Sequence, residues 1–81
     1  MAMRYGVSTK LPAEKVIEKA IDFFGNLGLE LTQRSDDGLC LEGGGGHVTL
    51  SLCPDGTGTE VEIETREWDR KVKEFIQRIG G

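Results

Sequence analysis

The feature that most constrains this fold is an alternation of acidic and apolar side chains within residues 57–66. The acids are Glu60, Glu62 and Glu64, and the apolar residues between them are Val61 and Ile63. Because successive side chains of a strand point to opposite faces, this period of two predicts a strand with one buried face and one solvated, acidic face. Residues 68–79 then change to helical spacing, with a single apolar stripe. The end of the chain therefore predicts a sheet covered on one face by a helix.

The length of the chain limits it to a single folded unit. A chain of 81 residues predicts one domain, residues 1–81, because so short a chain buries only about 60–65% of its unfolded surface. No apolar run approaches the roughly 20 residues of a membrane span, and the first residues lack the apolar core of a signal peptide. With two cysteines and no export signal, we expect a cytoplasmic protein that does not associate with membranes.

The rest of the chain divides into elements at glycine and proline signals. Pro12 can begin a helix, since the first turn needs no amide donor there, and Gly25 and Gly28 close it. The predicted strands are residues 3–9, 29–34, 39–43, 47–53 and the acidic strand near 57–66. We therefore predict an α+β fold in the order β-α-β-β-β-β-α. Its five-stranded antiparallel sheet has the order 1-5-4-3-2, with two helices packed on one face.

Four consecutive glycines, residues 43–46, lie at the tip of the middle hairpin. Placing Gly43 opposite Gly46 sets Leu41 against Val48 on the apolar face, whereas a slip of one residue sets Leu41 against His47 and buries polar groups. The first register is therefore predicted. A phosphate-binding loop would lead into a helix and usually carry a lysine, and this run does neither.

One cluster with chemical potential, Cys40, Glu42 and His47, falls on the open sheet face in this register. A thiol, an imidazole and a carboxylate could form a nucleophile or bind zinc. A flat, solvated sheet offers no pocket, oxyanion donors or fourth ligand, so we predict a surface histidine facing a glutamate, with no metal, cofactor or catalysis. A disulfide to Cys53 is not expected, because the two Cα atoms would lie about 13 Å apart.

The first helix carries more apolar residues than one buried stripe requires. They are Val16, Ile17, Ala20, Ile21, Phe23, Phe24 and Leu27. The excess could pack in the core, line a small pocket or remain exposed as a dimer patch. The residues considered for such an interface are Ile17, Ile21 and Phe24.

The order of elements, the opening of Val7 followed by residues 12–16, and the closing helix with Trp68 and Phe75 resemble two groups of proteins. The order resembles the minimal β-α-β4-α unit of the TATA-binding-protein-like folds. The opening and closing segments resemble a shortened helix-grip domain of the START and pollen-allergen superfamily. The first resemblance implies DNA binding by the open sheet face. Residues 28–66 carry eight acids against two bases, a charge that repels phosphate, so no nucleic-acid partner is expected.

These observations predict a small, non-enzymatic domain that acts by binding. The first hypothesis is a protein-interaction or self-associating module, with a homodimer or another protein as partner, that uses the first helix or the free edge strands. The alternative follows from the helix-grip resemblance: a reduced carrier of a small apolar ligand between the helices and the sheet. The resemblance implies a ligand site lined by Phe23, Phe24, Trp68 and Phe75.

Overall fold

A computed structural model describes residues 2–80 and confirms the predicted fold class and strand order. The elements are β1 (Met3–Thr9), α1 (Ala13–Gly25), β2 (Glu30–Ser35), β3 (Gly38–Gly43), β4 (Gly46–Asp55), β5 (Gly58–Arg66) and α2 (Asp69–Ile79). All neighbouring strands are antiparallel, in the order β1-β5-β4-β3-β2. Within residues 2–80, neither helix is long and apolar enough to cross a membrane.

The middle hairpin has the register that its apolar residues predict. Gly43 pairs with Gly46, and Leu41 pairs with Val48. Both apolar side chains of the second pair are almost fully buried. The turn that joins Gly43 to Gly46 consists of Gly44 and Gly45, both with positive φ. The register is thus selected by burial of one face, and the glycines allow the tight reversal that this register requires.

The core lies between the sheet and the two helices. Strands β3, β4 and β5 contribute alternating residues from one face, which is why their sequences show a period of two. The buried apolar residues of the helices are Val16, Ile17, Ala20 and Phe24 in α1 and Val72, Phe75 and Ile79 in α2. The rings of Phe23, Phe24 and Phe75 pack against one another, with centroid distances of 5.0–5.6 Å. This contact joins the two helices directly.

A tight corner connects β5 to α2 and holds the closing helix on the middle hairpin. The indole N–H of Trp68 donates a hydrogen bond of 2.9 Å to the carbonyl oxygen of Gly43. The ring of Trp68 lies so close to Gly44 that an added Cβ there would approach it to 2.8 Å. Glu67, just before, has φ of +72°, a left-handed conformation that costs a non-glycine residue about 1–2 kcal/mol. We call these four residues the Trp68 corner.

The strain at Glu67 gives a testable prediction. Replacing Glu67 with glycine is expected to stabilise the domain by about 0.5–1 kcal/mol, because relief of the left-handed strain exceeds the added entropy of the unfolded chain. Urea denaturation would measure the change. Glu67→Ala is the matched control, since it removes the same side chain without glycine's freedom and should bring no such gain. Equal effects of the two substitutions would contradict the strain assignment.

Candidate functional site

Each of the two edge strands of the sheet, β1 and β2, carries one exposed apolar side chain near its first residue. One cross-strand row on the helix side runs through Met3, Thr65, Val48, Leu41 and Leu31. The three inner members are at most 1% exposed, whereas Met3 is 45% and Leu31 is 41% exposed. Side-chain packing along this row therefore ends at the two edge strands, where each outer member has a neighbouring strand on one side only.

The β2 edge carries features that block addition of another strand. Its pairing with β3 shifts between Leu31 and Gln33, which marks a β-bulge, and bulges twist an edge away from a flat partner. The hydroxyl of Thr32, the residue between them, donates to the carbonyl of Cys40 at 3.2 Å. Charged Glu30 and Arg34 are exposed on the same strand. By the usual rules of edge protection, β2 is a guarded edge.

The β1 edge lacks these features. All seven residues of β1 pair in continuous register with β5, from Met3 opposite Thr65 to Thr9 opposite Thr59. The strand contains no proline, and its only charged side chain is Arg4. Around Gly6, an added Cβ would meet no described atom within 4 Å. A strand in continuous register without proline or bulge is the kind of edge that accepts a further strand.

The side chains beside the β1 edge differ between its two faces. On the helix side, Tyr5 and Val7 are half-buried, and the ammonium of Lys73 lies 5.9 Å from the centre of the Tyr5 ring. On the open side, the Arg4 guanidinium forms an ion pair of 3.3 Å with Glu64. The Ser8 hydroxyl donates to Glu60, one strand further in. The edge therefore combines an apolar side with a polar side that bears both signs of charge.

Apart from the sheet edges, a concave surface lies between the two helices. A groove of about 400 Å³ is lined on the α1 side by Phe23 and Leu27 and on the α2 side by Phe75 and Arg78, among others. The Arg78 guanidinium lies 5.0 Å from the centre of the Phe23 ring. Phe23 and Leu27 are half-buried, and both pack against the core. These two residues account for part of the apolar excess of the first helix.

The helix-grip resemblance placed four aromatic residues around one ligand, and the structure brings three of them together, Phe23, Phe24 and Phe75, with Trp68 elsewhere. Phe24 and Phe75 are at most 1% exposed, and the centres of their rings are 5.3 Å apart. These two rings therefore fill the space between the helices and the sheet. Phe23 borders the groove on the outside of this contact. Trp68 packs on the turn of the middle hairpin instead. The four side chains therefore do not surround a single site.

The three residues considered for an interface on the first helix also have different surroundings. Ile17 is 3% exposed and Phe24 is fully buried, so neither presents a surface to a partner in this fold. Ile21 is half-buried and packs against the core. The apolar surface available to a partner lies instead at Met3 and Leu31 and in the inter-helix groove.

The cluster on the open face is arranged as the register predicts, with one change of partner. Glu42 pairs with His47, and Cys40 pairs with Thr49, whose hydroxyl lies 3.4 Å from the Cys40 sulfur. The carboxylate nearest to His47 belongs to Glu64, at 3.8 Å. Both cysteines are free thiols. In the part of the chain that the structure describes, no group of three potential metal ligands comes together.

The fold and its surfaces define a two-layer α+β domain with one guarded and one free sheet edge. The sequence matches no protein-family model and no curated protein. Its function is therefore inferred from the chemistry of its own surfaces.

Proposed function

We propose that this domain is a self-associating interaction module whose partner is a second copy of the chain, paired through the free β1 edge. Two antiparallel β1 strands, related by a twofold axis perpendicular to the sheet, would join the two five-stranded sheets into one of ten strands. Such an interface is isologous and closes on itself. Main-chain hydrogen bonds provide affinity in strand addition, and the alternating side chains provide register.

The single observation that carries this proposal is the contrast between the two edges. Both end the same apolar row with a residue more than 40% exposed, Met3 or Leu31. Only the β2 edge has a bulge, and it carries two exposed charged side chains against one on β1. A long, regular edge that retains an exposed methionine is the surface that gains most from a further strand.

The register of the proposed pair follows from the two faces of β1. Opposed residues in an antiparallel pair point to the same face, so helix-side residues must meet helix-side residues. Centring the axis on Gly6 satisfies this condition and uses the whole strand. The cross-pairs in this register are Gly6 with Gly6, Tyr5 with Val7, Arg4 with Ser8, and Met3 with Thr9.

Charge complementarity supports the same register. Arg4 would lie opposite Ser8 of the second copy, whose hydroxyl already holds Glu60 of its own chain. The guanidinium has five N–H donors and can contact that carboxylate as well as its own Glu64. Shifting the axis to Arg4 would instead set two guanidinium groups against each other. The central Gly6 pair leaves the long Arg4 side chains unobstructed.

A pair of matched substitutions tests the proposal. Met3→Lys is expected to abolish self-association, because it introduces a charge at the paired edge, opposite Thr9 of the second copy, in a position where lysines guard natural edges. Leu31→Lys makes the same change at the other end of the same row and should leave association unchanged. Native mass spectrometry across about 1 µM to 1 mM protein, the range of weak to moderate affinities, would measure the dimer fraction.

The measured dimer fractions distinguish pairing at β1 from pairing at β2 and from the absence of self-association. Wild-type protein that dimerises with rising concentration, with Met3→Lys monomeric and Leu31→Lys unchanged, supports pairing at β1. Loss of the dimer in Leu31→Lys alone would assign association to β2 and contradict the proposal. A wild-type chain that stays monomeric over the whole range would also contradict it. Both positions are exposed, so each substitution should alter the unfolding free energy by no more than about 0.5 kcal/mol.

A further inference from the structure

The geometry points to a ligand site in the inter-helix groove, independent of the β1 edge. We propose that the groove binds a small amphipathic carboxylate, with its apolar body on Phe23 and Leu27 and its carboxylate at Arg78 and Lys19. The groove's volume of about 400 Å³ lies within the range of small-molecule sites, roughly 300–1,000 Å³.

The apolar floor of the groove has the form of a binding surface. Phe23 lies in α1 and Leu27 in the turn that follows the helix, and both side chains line the groove. The rings of Phe23 and Phe75 have centroids 5.6 Å apart and are tilted by 45°. Because Phe75 is 1% exposed, it fixes the Phe23 ring from below. A ligand that covers Phe23 and Leu27 therefore meets apolar surface held in place by the core.

The rim carries an excess of positive charge that is free to act on a ligand. Five charged residues line the groove: Lys19, Asp22, Lys71, Glu74 and Arg78. Lys71 and Glu74 form an ion pair of 3.0 Å and offset each other. Among residues 2–80, Lys19 and Arg78 form no ion pair. Two unpaired cations against one acid, Asp22, give the groove a net attraction for an anion although the whole chain has a net charge of −4.

The position of Arg78 suits it to bind a carboxylate at the edge of the apolar floor. Its guanidinium lies over the Phe23 ring at 5.0 Å from the ring centre, a cation–π contact that holds the group against the groove floor. The N–H groups of Arg78 form no ion pair within the described residues 2–80, and the guanidinium fork matches the two oxygens of a carboxylate. The same side chain therefore links the apolar floor to the charged rim.

The test uses the dye anilinonaphthalene sulfonate, an apolar body with one anionic group, and octanoate as a competitor. We expect saturable binding of one dye per chain, displaced by octanoate at least tenfold more effectively than by octanol, which has the same chain length without the charge. Arg78→Gln should weaken dye and octanoate binding by about tenfold, the effect of losing a charge-assisted hydrogen bond. Asp22→Asn should strengthen it two- to threefold by removing the rim's unpaired acid.

Arg70→Gln is the matched control, because Arg70 is an exposed arginine of the same helix that does not line the groove. It should leave binding unchanged. Non-saturable dye binding, equal displacement by octanol and octanoate, or equal effects of the Arg70 and Arg78 substitutions would each overturn the proposal. Dye bound by partly unfolded protein is recognised because urea would then increase the fluorescence.

Discussion

Replacing Gly46 with alanine is expected to destabilise the domain by about 3 kcal/mol, the upper end of the usual cost of overpacking. The added Cβ would overlap the carbonyl oxygen of Arg66 and lie 2.7 Å from the Cβ of Glu67. Both obstacles belong to or adjoin the backbone of the Trp68 corner, so no flexible side chain can move away. The first residues of β4 would have to separate from the end of β5.

Urea denaturation would measure this loss as a lower midpoint at an unchanged slope. Gly25→Ala is the control, because an added Cβ there meets no described atom within 4 Å and alanine is favoured over glycine in a helix. We expect its unfolding free energy to stay the same or rise by up to about 1 kcal/mol. If both alanines were tolerated equally, the close contact at Gly46 would be refuted.

Replacing Phe24 with alanine is expected to cost about 4 kcal/mol, within the range for deleting a buried aromatic side chain. Phe24 is fully buried, and its ring contacts both Phe23 and Phe75, so its loss leaves a cavity where the two helices meet. A domain of this size is stable by only about 4–12 kcal/mol. The variant should therefore lose about a third or more of the free energy of unfolding and denature at a much lower urea concentration.

Phe23→Ala provides the comparison, since it deletes the same side chain from the adjacent residue. Phe23 is half-buried and borders the inter-helix groove, so less apolar surface returns to water and less cavity forms. We expect a loss of about 2 kcal/mol, measured by thermal and urea denaturation. A loss as large as that for Phe24→Ala would mean that the groove floor is part of the core.

Much of the fold could be predicted from the sequence because its signals are local. The alternation around Val61 and Ile63 identifies β5, and the apolar faces of β3 and β4 admit only one register around Gly43 and Gly46. Glycines and prolines mark most element boundaries. Strand order then follows from short connections and from the need to cover one apolar face.

The surfaces were harder to predict because they depend on contacts between distant parts of the chain. Trp68 has the spacing of a core residue, yet its indole bonds to the carbonyl of Gly43, a contact that no helical periodicity can indicate. The bulge after Leu31 has no local glycine or proline to announce it. The register placed Glu42 directly opposite His47, but side-chain reach brings Glu64 closer.

The exposed ends of the Met3–Leu31 row could be predicted from the sequence only in part. The two edge strands follow from the predicted order 1-5-4-3-2, whereas of the pairings in the row only that of Leu41 with Val48 is predicted. The sequence does not show how far the helices extend over the sheet. That coverage depends on how α1 and α2 pack, and it determines that Met3 and Leu31 remain exposed while Val48 between them is buried.

The pairing of the first strand with the fifth also affects how the chain is synthesised. Met3 pairs with Thr65, so β1 leaves the ribosome about 60 residues before its partner in the sheet. At translation rates of roughly 5–20 residues per second, this delay is about 3–12 seconds. During that interval β1 has two unpaired edges instead of one, and the nascent chain cannot close its sheet until most of it has been made.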